Sequence, residues 1–210
     1  MSYNKELVEK KLLRWEHYIR NFSLPDWDDI PDIGLYMEQV ITYLTQKLNY
    51  LPPNMNKDES LITPATINNY VRTRIMPEPV KKRYYRIHLA YLLMICTLKQ
   101  SLSIALLQTL LPSGESEEEV TKKYTAFVER HHIAVEYFGD QIEQMAGPLI
   151  DQGLESKISA HSTEDLIFSS VIIAGFSKIF AQKLLGIRDK DLTNGGLVDF
   201  SPPVVGKDRK

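Results

Sequence analysis

Between positions 37 and 48 the apolar residues fall at Met37, Val40, Ile41, Leu44 and Leu48, which is one face of a 3.6-residue period. That spacing predicts a helix over 33–50, ended by Pro52 and Pro53. A second stripe, Leu7, Leu12, Trp15 and Ile19, predicts a charged helix over 5–21. The stretch between them holds Pro25, Pro31 and four aspartates around Trp27. Aspartate and proline collect in turns because they cap backbone groups and preset φ. The segment therefore reads as a loop with Trp27 as its apolar plug, rather than as a metal site.

Polar residues 54–60 predict a loop. The next helix opens at Thr63, an N-cap candidate, with Pro64 at the first helical position, where a missing N–H costs nothing. Through Thr73 its inward face is Ile67, Tyr70 and Val71, and its outward face is Thr66, Asn69 and Thr73, flanked by Asn68 and Arg72. Pro77 and Pro79 stop it. Lys81, Lys82, Arg83, Tyr84 and Tyr85 then read as a short basic hairpin, since aromatic residues suit strands. Residues 86–100 are apolar nearly all round and predict a buried central helix. Ser103 caps a short helix over 104–111, which Pro112 ends. The punctuation at 112–114 predicts a domain boundary. Beyond it, Ser116 with Glu119 is a capping box for a helix reaching about Met145. Val120, Tyr124, Phe127, His131, Ala134 and Phe138 repeat at steps of four and three, a coiled-coil-like seam. A last apolar helix is predicted over 164–185. The expected organisation is thus an all-α chain: N-terminal helices with a compact helical core unit at 61–111 inside a domain over 1–111, a further helical region at 116–185, and a loosely packed tail at 186–210.

Composition narrows the class. The chain has 210 residues, 43% hydrophobic and 25% charged, so it is globular rather than disordered. Its single cysteine, Cys96, excludes an internal disulfide framework and a cysteine-based zinc site. It lies in the most apolar predicted helix, where a buried, inert thiol is expected. The N-terminal stretch has no uninterrupted apolar run and does not read as a signal peptide. No run is long and apolar enough to span a bilayer. These features fit a cytoplasmic protein with no membrane partner. Net charge is −2, yet from Ile62 to Lys99 seven bases face one acid, Glu78. A basic island in an acidic chain is the asymmetry expected of a localised polyanion site.

The chain shows no Gly-rich phosphate loop, nucleophile elbow or zinc-binding His-Glu-x-x-His helix, so no catalytic residue, metal site or cofactor is expected. His131 and His132 are adjacent and point about 100° apart on a helix, which does not suit chelation. His131 on the apolar seam reads as an interface histidine.

The run from Thr66 to Pro77 (Thr-Ile-Asn-Asn-Tyr-Val-Arg-Thr-Arg-Ile-Met-Pro) resembles the recognition-helix segment of MerR-type regulators. Their pattern there is Thr-Leu-Arg-Tyr-Tyr-Glu-Arg-Ile-Gly-Leu-Leu-Pro. The stretch from Arg83 to Leu89 resembles that family's wing end, and Leu98 to Ile104 resembles its next helix junction. Asn68 stands where the family has Arg, and Arg74 where it has a turn Gly. About ten residues separate the long predicted helix over 33–50 from Thr63, more than the roughly three to four of an ordinary helix-turn-helix turn. With the segment from Leu24 to Met37, the chain is also similar to an uncharacterised bacterial family known only as a domain of unknown function with a MerR-like unit. The resemblance implies a winged helix-turn-helix that binds double-stranded DNA. In such a unit the second helix enters the major groove. Thr66 lies on its outward face, and Asn68 or Asn69 would reach adenine. Arg72 would contact phosphate or guanine, with Arg74 beside it. Lys81, Lys82, Arg83 and Arg86 would grip phosphates without reading sequence. The resemblance makes Tyr70 a phosphate contact, its ring packed and its hydroxyl emerging. Tyr84 and Tyr85 would brace the wing. It also implies a homodimer through Val120, Tyr124, Phe127, His131 and Phe138, with an unidentified small-molecule effector on the C-terminal helices. The rival expectation is a non-catalytic assembly protein on the same scaffold.

Overall fold

Helix 86–98 is the element around which the others are laid. The computed structural model describes residues 17–18, 20–49, 62–111, 114, 116–147, 160–163, 165–166, 170, 173–174 and 177–178. Among the described residues the bounded elements are a 3₁₀ turn, Trp27–Asp29, and five α-helices: α1 (Met37–Lys47), α2 (Pro64–Arg72), α3 (Arg86–Leu98), α4 (Ile104–Leu110) and α5 (Glu117–Ala146). No strand is present among the described residues, and the all-α expectation holds at that level. The predicted helix over 5–21 falls mostly outside the described residues, as do the loop at 54–60 and the tail at 186–210. Only scattered positions of the predicted helix over 164–185 are described.

In α3 every residue from His88 to Cys96 is buried. A helix apolar on all sides needs cover on all sides. It is covered by Val40 and Leu44 from α1 and Leu48 at its C-cap, Ile67 and Tyr70 from α2, Leu107 from α4, and Val120 and Tyr124 from α5, all in one core. The core therefore runs across the Pro and Gly punctuation at 112–114 and does not divide there as expected. Cys96 lies in this core, and burial pushes its thiol up to about 12, against a smaller opposing pull from Lys99.

One helix start differs from the sequence reading for a physical reason. Helix α1 begins at Met37, not near 33, because Leu35 is paired in extended form with Tyr84. The Gln39 side chain reaches back to accept the Tyr36 backbone N–H at 2.9 Å. Helix α5 begins as expected: the Ser116 hydroxyl accepts the Glu119 N–H, while the Glu119 carboxylate accepts the Ser116 N–H. Those hydrogen bonds, the backbone one first, hold the Glu119 carboxyl below the usual carboxylate range.

The predicted assembly seam on α5 is spent largely within the chain. Val120 and Tyr124 are fully buried. The Tyr124 hydroxyl donates to the Pro25 carbonyl at 2.7 Å, and its ring meets Trp27. Phe127 packs on the same core, and His131 lies between Phe22 and Phe127, ring centres 5.7 and 6.3 Å away. Segment 22–30 covers the seam, so these four residues are not an open dimer face. Further along, the Arg20 guanidinium lies across Gly139 and pairs with Asp140 and Glu143. A Cβ at Gly139 would stand 2.7 Å from that guanidinium. A second, smaller core gathers Ile142, Met145 and Ala146 with Ala160 and Leu166. Among the described residues no helix is long and apolar enough to cross a membrane.

Burial, and then the neighbouring His132, lower the pKa of His131. A histidine kept neutral by the fold contributes stability that is fully present above its unfolded value of about 6.5 and is lost as pH falls from there through its lowered folded value. His131→Gln is therefore expected to flatten the fall in chemical-denaturation stability on going from neutral to mildly acidic buffer. An equally steep fall in the variant would mean that His131 does not contribute to it.

Candidate nucleic-acid interface

Helix α2 is short, so its ends decide whether it holds. The Thr63 hydroxyl accepts the Thr66 N–H at 3.1 Å, and Pro64 follows at the first helical position. At the other end the Arg74 N–H bonds the Val71 carbonyl and the Ile75 N–H bonds the Tyr70 carbonyl. That pair of bonds is a Schellman ending, which requires a left-handed residue at Arg74. Arg74 has φ +55°, so the turn that the resemblance associates with glycine is kept here by an arginine. The left-handed form costs a residue with a Cβ roughly 1–2 kcal/mol. Ile75, fully buried, and Tyr70 supply the apolar contact that accompanies the motif. The Gln108 amide donates to the Thr73 carbonyl and ties α4 to the same end.

The outward face of α2 is rotated from the expected one. Asn68 and Arg72 are exposed, whereas Thr66, Asn69 and Thr73 are half-buried. Thr66 and Thr73 turn their hydroxyls to local partners, Thr63 and the Asn69 carbonyl. The Asn69 Oδ1 accepts from the Arg72 guanidinium at 2.7 Å, so Asn69 positions Arg72. Tyr70 departs from its expected role. It is 2% exposed, and burial, followed by the Cys96 thiol, raises its pKa far above the ordinary phenol value. Its ring carries the Lys99 ammonium at 5.2 Å. Tyr70 holds the helix to the core and leaves the outward set.

The predicted hairpin is present in its smallest form. Val80 and Arg83 exchange both main-chain hydrogen bonds at 3.0 Å around a two-residue turn. Lys81 and Lys82 make that turn with φ +50° and +63°. Two successive left-handed residues are the geometry of a type I′ turn, whose usual occupants are Asn and Gly. Both lysines are exposed. Tyr84 then exchanges a second pair of bonds with Leu35, at 2.8 and 2.9 Å. That pairing buries Tyr84, which braces the hairpin from beneath.

Arg83 and Arg86, expected on phosphates, are anchors first. The Arg83 guanidinium lies 4.4 Å over the Tyr36 ring, donating to the Tyr36 hydroxyl and the Gly34 carbonyl. A Cβ on Gly34 would come within 2.9–3.0 Å of the Arg83 side chain, so glycine is needed for this approach. Arg86 is mostly covered: it donates to the Ile30 carbonyl, faces Asp28 and lies over Trp27. Of the cations expected on DNA, Arg72, Arg74, Lys81, Lys82 and Arg83 are exposed, and Arg83 among them is tied to Tyr36 and Gly34.

The residue the sequence reading did not single out is His88. Its Nδ1 accepts the Tyr85 N–H at 3.0 Å, and its Nε2 meets the Glu78 carbonyl at 3.0 Å. The two partners set the tautomer, with the proton on Nε2. Buried at 3% exposure between the Tyr84 and Tyr85 rings, His88 links the entry of the hairpin to the start of α3. Its position three residues past an N-cap was the only available signal. Among the described residues no group of three or more His, Cys, Asp or Glu is placed to hold a metal ion.

A Domain of unknown function (DUF1836) is found at residues 25–127, from the Trp27 loop into α5, in keeping with the likeness to an uncharacterised family. It takes in α1 to α4, the hairpin and the part of α5 that completes the main core. No curated protein and no solved structure matches this chain.

Arg74→Gly removes the left-handed strain and is expected to raise stability by about 0.5–1 kcal/mol, while Arg74→Val lowers it. Thermal melts of the two variants check this. A loss of stability in Arg74→Gly would show that the arginine side chain outweighs the strain.

Proposed function

We propose that this chain is a non-catalytic DNA-binding regulator that works in the cytoplasm through a winged helix-turn-helix of the MerR kind. In this reading α1 and α2 form the helix pair, α2 lies in the major groove and the hairpin is the wing. One observation carries it: two exposed lysines occupy the tip of a turn whose backbone favours Asn and Gly, on a hairpin anchored at its base. Strain of this kind persists where surrounding contacts over-determine it, and it collects at functional positions. Asn68 is the base reader, since an exposed amide suits adenine N6 and N7. Arg72, held by Asn69, contacts phosphate or guanine. Lys81 and Lys82 take phosphates and set register without reading sequence.

A second reading has its own support. Ile133, Tyr137 and Phe138 on α5 are 45%, 65% and 41% exposed, an apolar patch that fits an assembly role for the C-terminal half. A homodimer contact, if placed on α5, belongs on this part rather than on Val120 or Tyr124. The effector proposed for the C-terminal helices remains a small molecule of unassigned chemistry.

The test is duplex affinity against salt concentration for the full chain. Lys81→Asn combined with Lys82→Gly supplies the preferred turn residues, so the fold is expected to be at least as stable. The slope of log affinity against log salt is expected to fall by about 2, one phosphate per lysine. Asn68→Ala is expected to relax preference at one base position by about 1–3 kcal/mol. Wild-type protein without measurable duplex affinity at low salt would leave the assembly reading.

A further inference from the structure

The hairpin has an outer face that carries aromatic and aliphatic surface beside one arginine. Because Leu35 pairs with Tyr84 in antiparallel register, Tyr36 stands opposite Arg83, and Arg83 is itself paired with Val80. Opposed residues project to the same side. Tyr36, Arg83 and Val80 therefore form one row, while Leu35 and Tyr84 point into the core. Tyr36 is 52% exposed and Val80 55% exposed. The Arg83 guanidinium is fixed against Tyr36 by the cation–π contact and its hydrogen bond to the hydroxyl, so it stiffens the row.

This face adjoins the Lys81 and Lys82 tip, and no acid lies between Pro79 and Lys99. A partner seated there must be a polyanion near the tip and offer C–H surface a few ångströms away. A sugar–phosphate strand has both in alternation: phosphates for the lysines, deoxyribose edges for an aromatic ring and a branched aliphatic side chain. We propose that Tyr36 and Val80 pack against the sugar edges of one strand of a DNA duplex, beside the phosphates held by the lysine tip. The inference rests on the DNA-binding reading and adds to it an apolar, salt-independent part of the affinity.

Salt dependence separates the two kinds of contact. Neutralised phosphates set the slope, whereas apolar packing shifts the whole line without tilting it. A mixed-sequence duplex is titrated with full-length protein over a series of salt concentrations. Val80→Ser is expected to weaken binding about fivefold at every salt concentration with the slope unchanged. Val80→Ile, which keeps the aliphatic surface, is expected to bind as the wild type does. Tyr36→Ala is expected to shift affinity in the same direction. Because Tyr36 also anchors Arg83, Val80→Ser with an unchanged thermal melt is the deciding variant. Wild-type affinity in Val80→Ser, or a changed slope, would overturn the sugar-packing inference while leaving DNA binding in place. No duplex binding by the wild type would remove the DNA reading and this inference with it.

Discussion

The two main-chain hydrogen bonds between Leu35 and Tyr84 are the constraint on which the rest depends. They join segments 49 positions apart, ahead of α1 and ahead of α3. Each is worth about 1 kcal/mol net. Their larger effect is on geometry, because they fix the register that puts Tyr84 in the core and Arg83 outside it. Gly34 lets Arg83 lie flat against the chain, and His88 holds the far side of the hairpin through the Glu78 carbonyl. A turn with two left-handed lysines, isolated in water, would have little reason to persist. Between these anchors it is held as one fixed projection.

The same economy governs the C-terminal half. A long amphipathic helix with a four-three seam is ambiguous, since the seam can meet a partner or its own chain. Here the loop around Trp27 settles the first half of α5: the Pro25 carbonyl satisfies Tyr124, and Phe22 covers His131. The loop, with its prolines and aspartates, is thus part of the core's cover. Arg86 depends on it too, through the Ile30 carbonyl and the Trp27 ring.

Much of this was legible in the sequence, and the misses share a cause. Helix α2 was readable from Thr63 and Pro64, α5 from Ser116 and Glu119, and α3 from its unbroken apolar run, because caps and periodicity are local. The hairpin was readable as such, but its anchors were not. Arg83 and Arg86 carry the same charge as Lys81 and Lys82, and only long-range contacts with residues 28–36 separate anchors from presented cations. The start of α1 was misplaced for that reason as well, since Leu35 is extended to pair with a residue far along the chain. The outward face of α2 was off by about one position, because Asn69 and Thr73 turn toward neighbours along the helix. Arg74 shows the opposite case. A departure in residue type left the turn geometry intact, because Ile75 and Tyr70 supply enough buried contact to hold a left-handed arginine.

In the proposed function the exposed face of α2 and the lysine-tipped hairpin together read duplex DNA. Selection of bound duplexes from a random-sequence pool with the full-length protein tests it most directly. The account predicts recovery of a shared motif containing an adenine whose preference is lost when the selection is repeated with Asn68→Ala. A recovered pool no different from the input would contradict it.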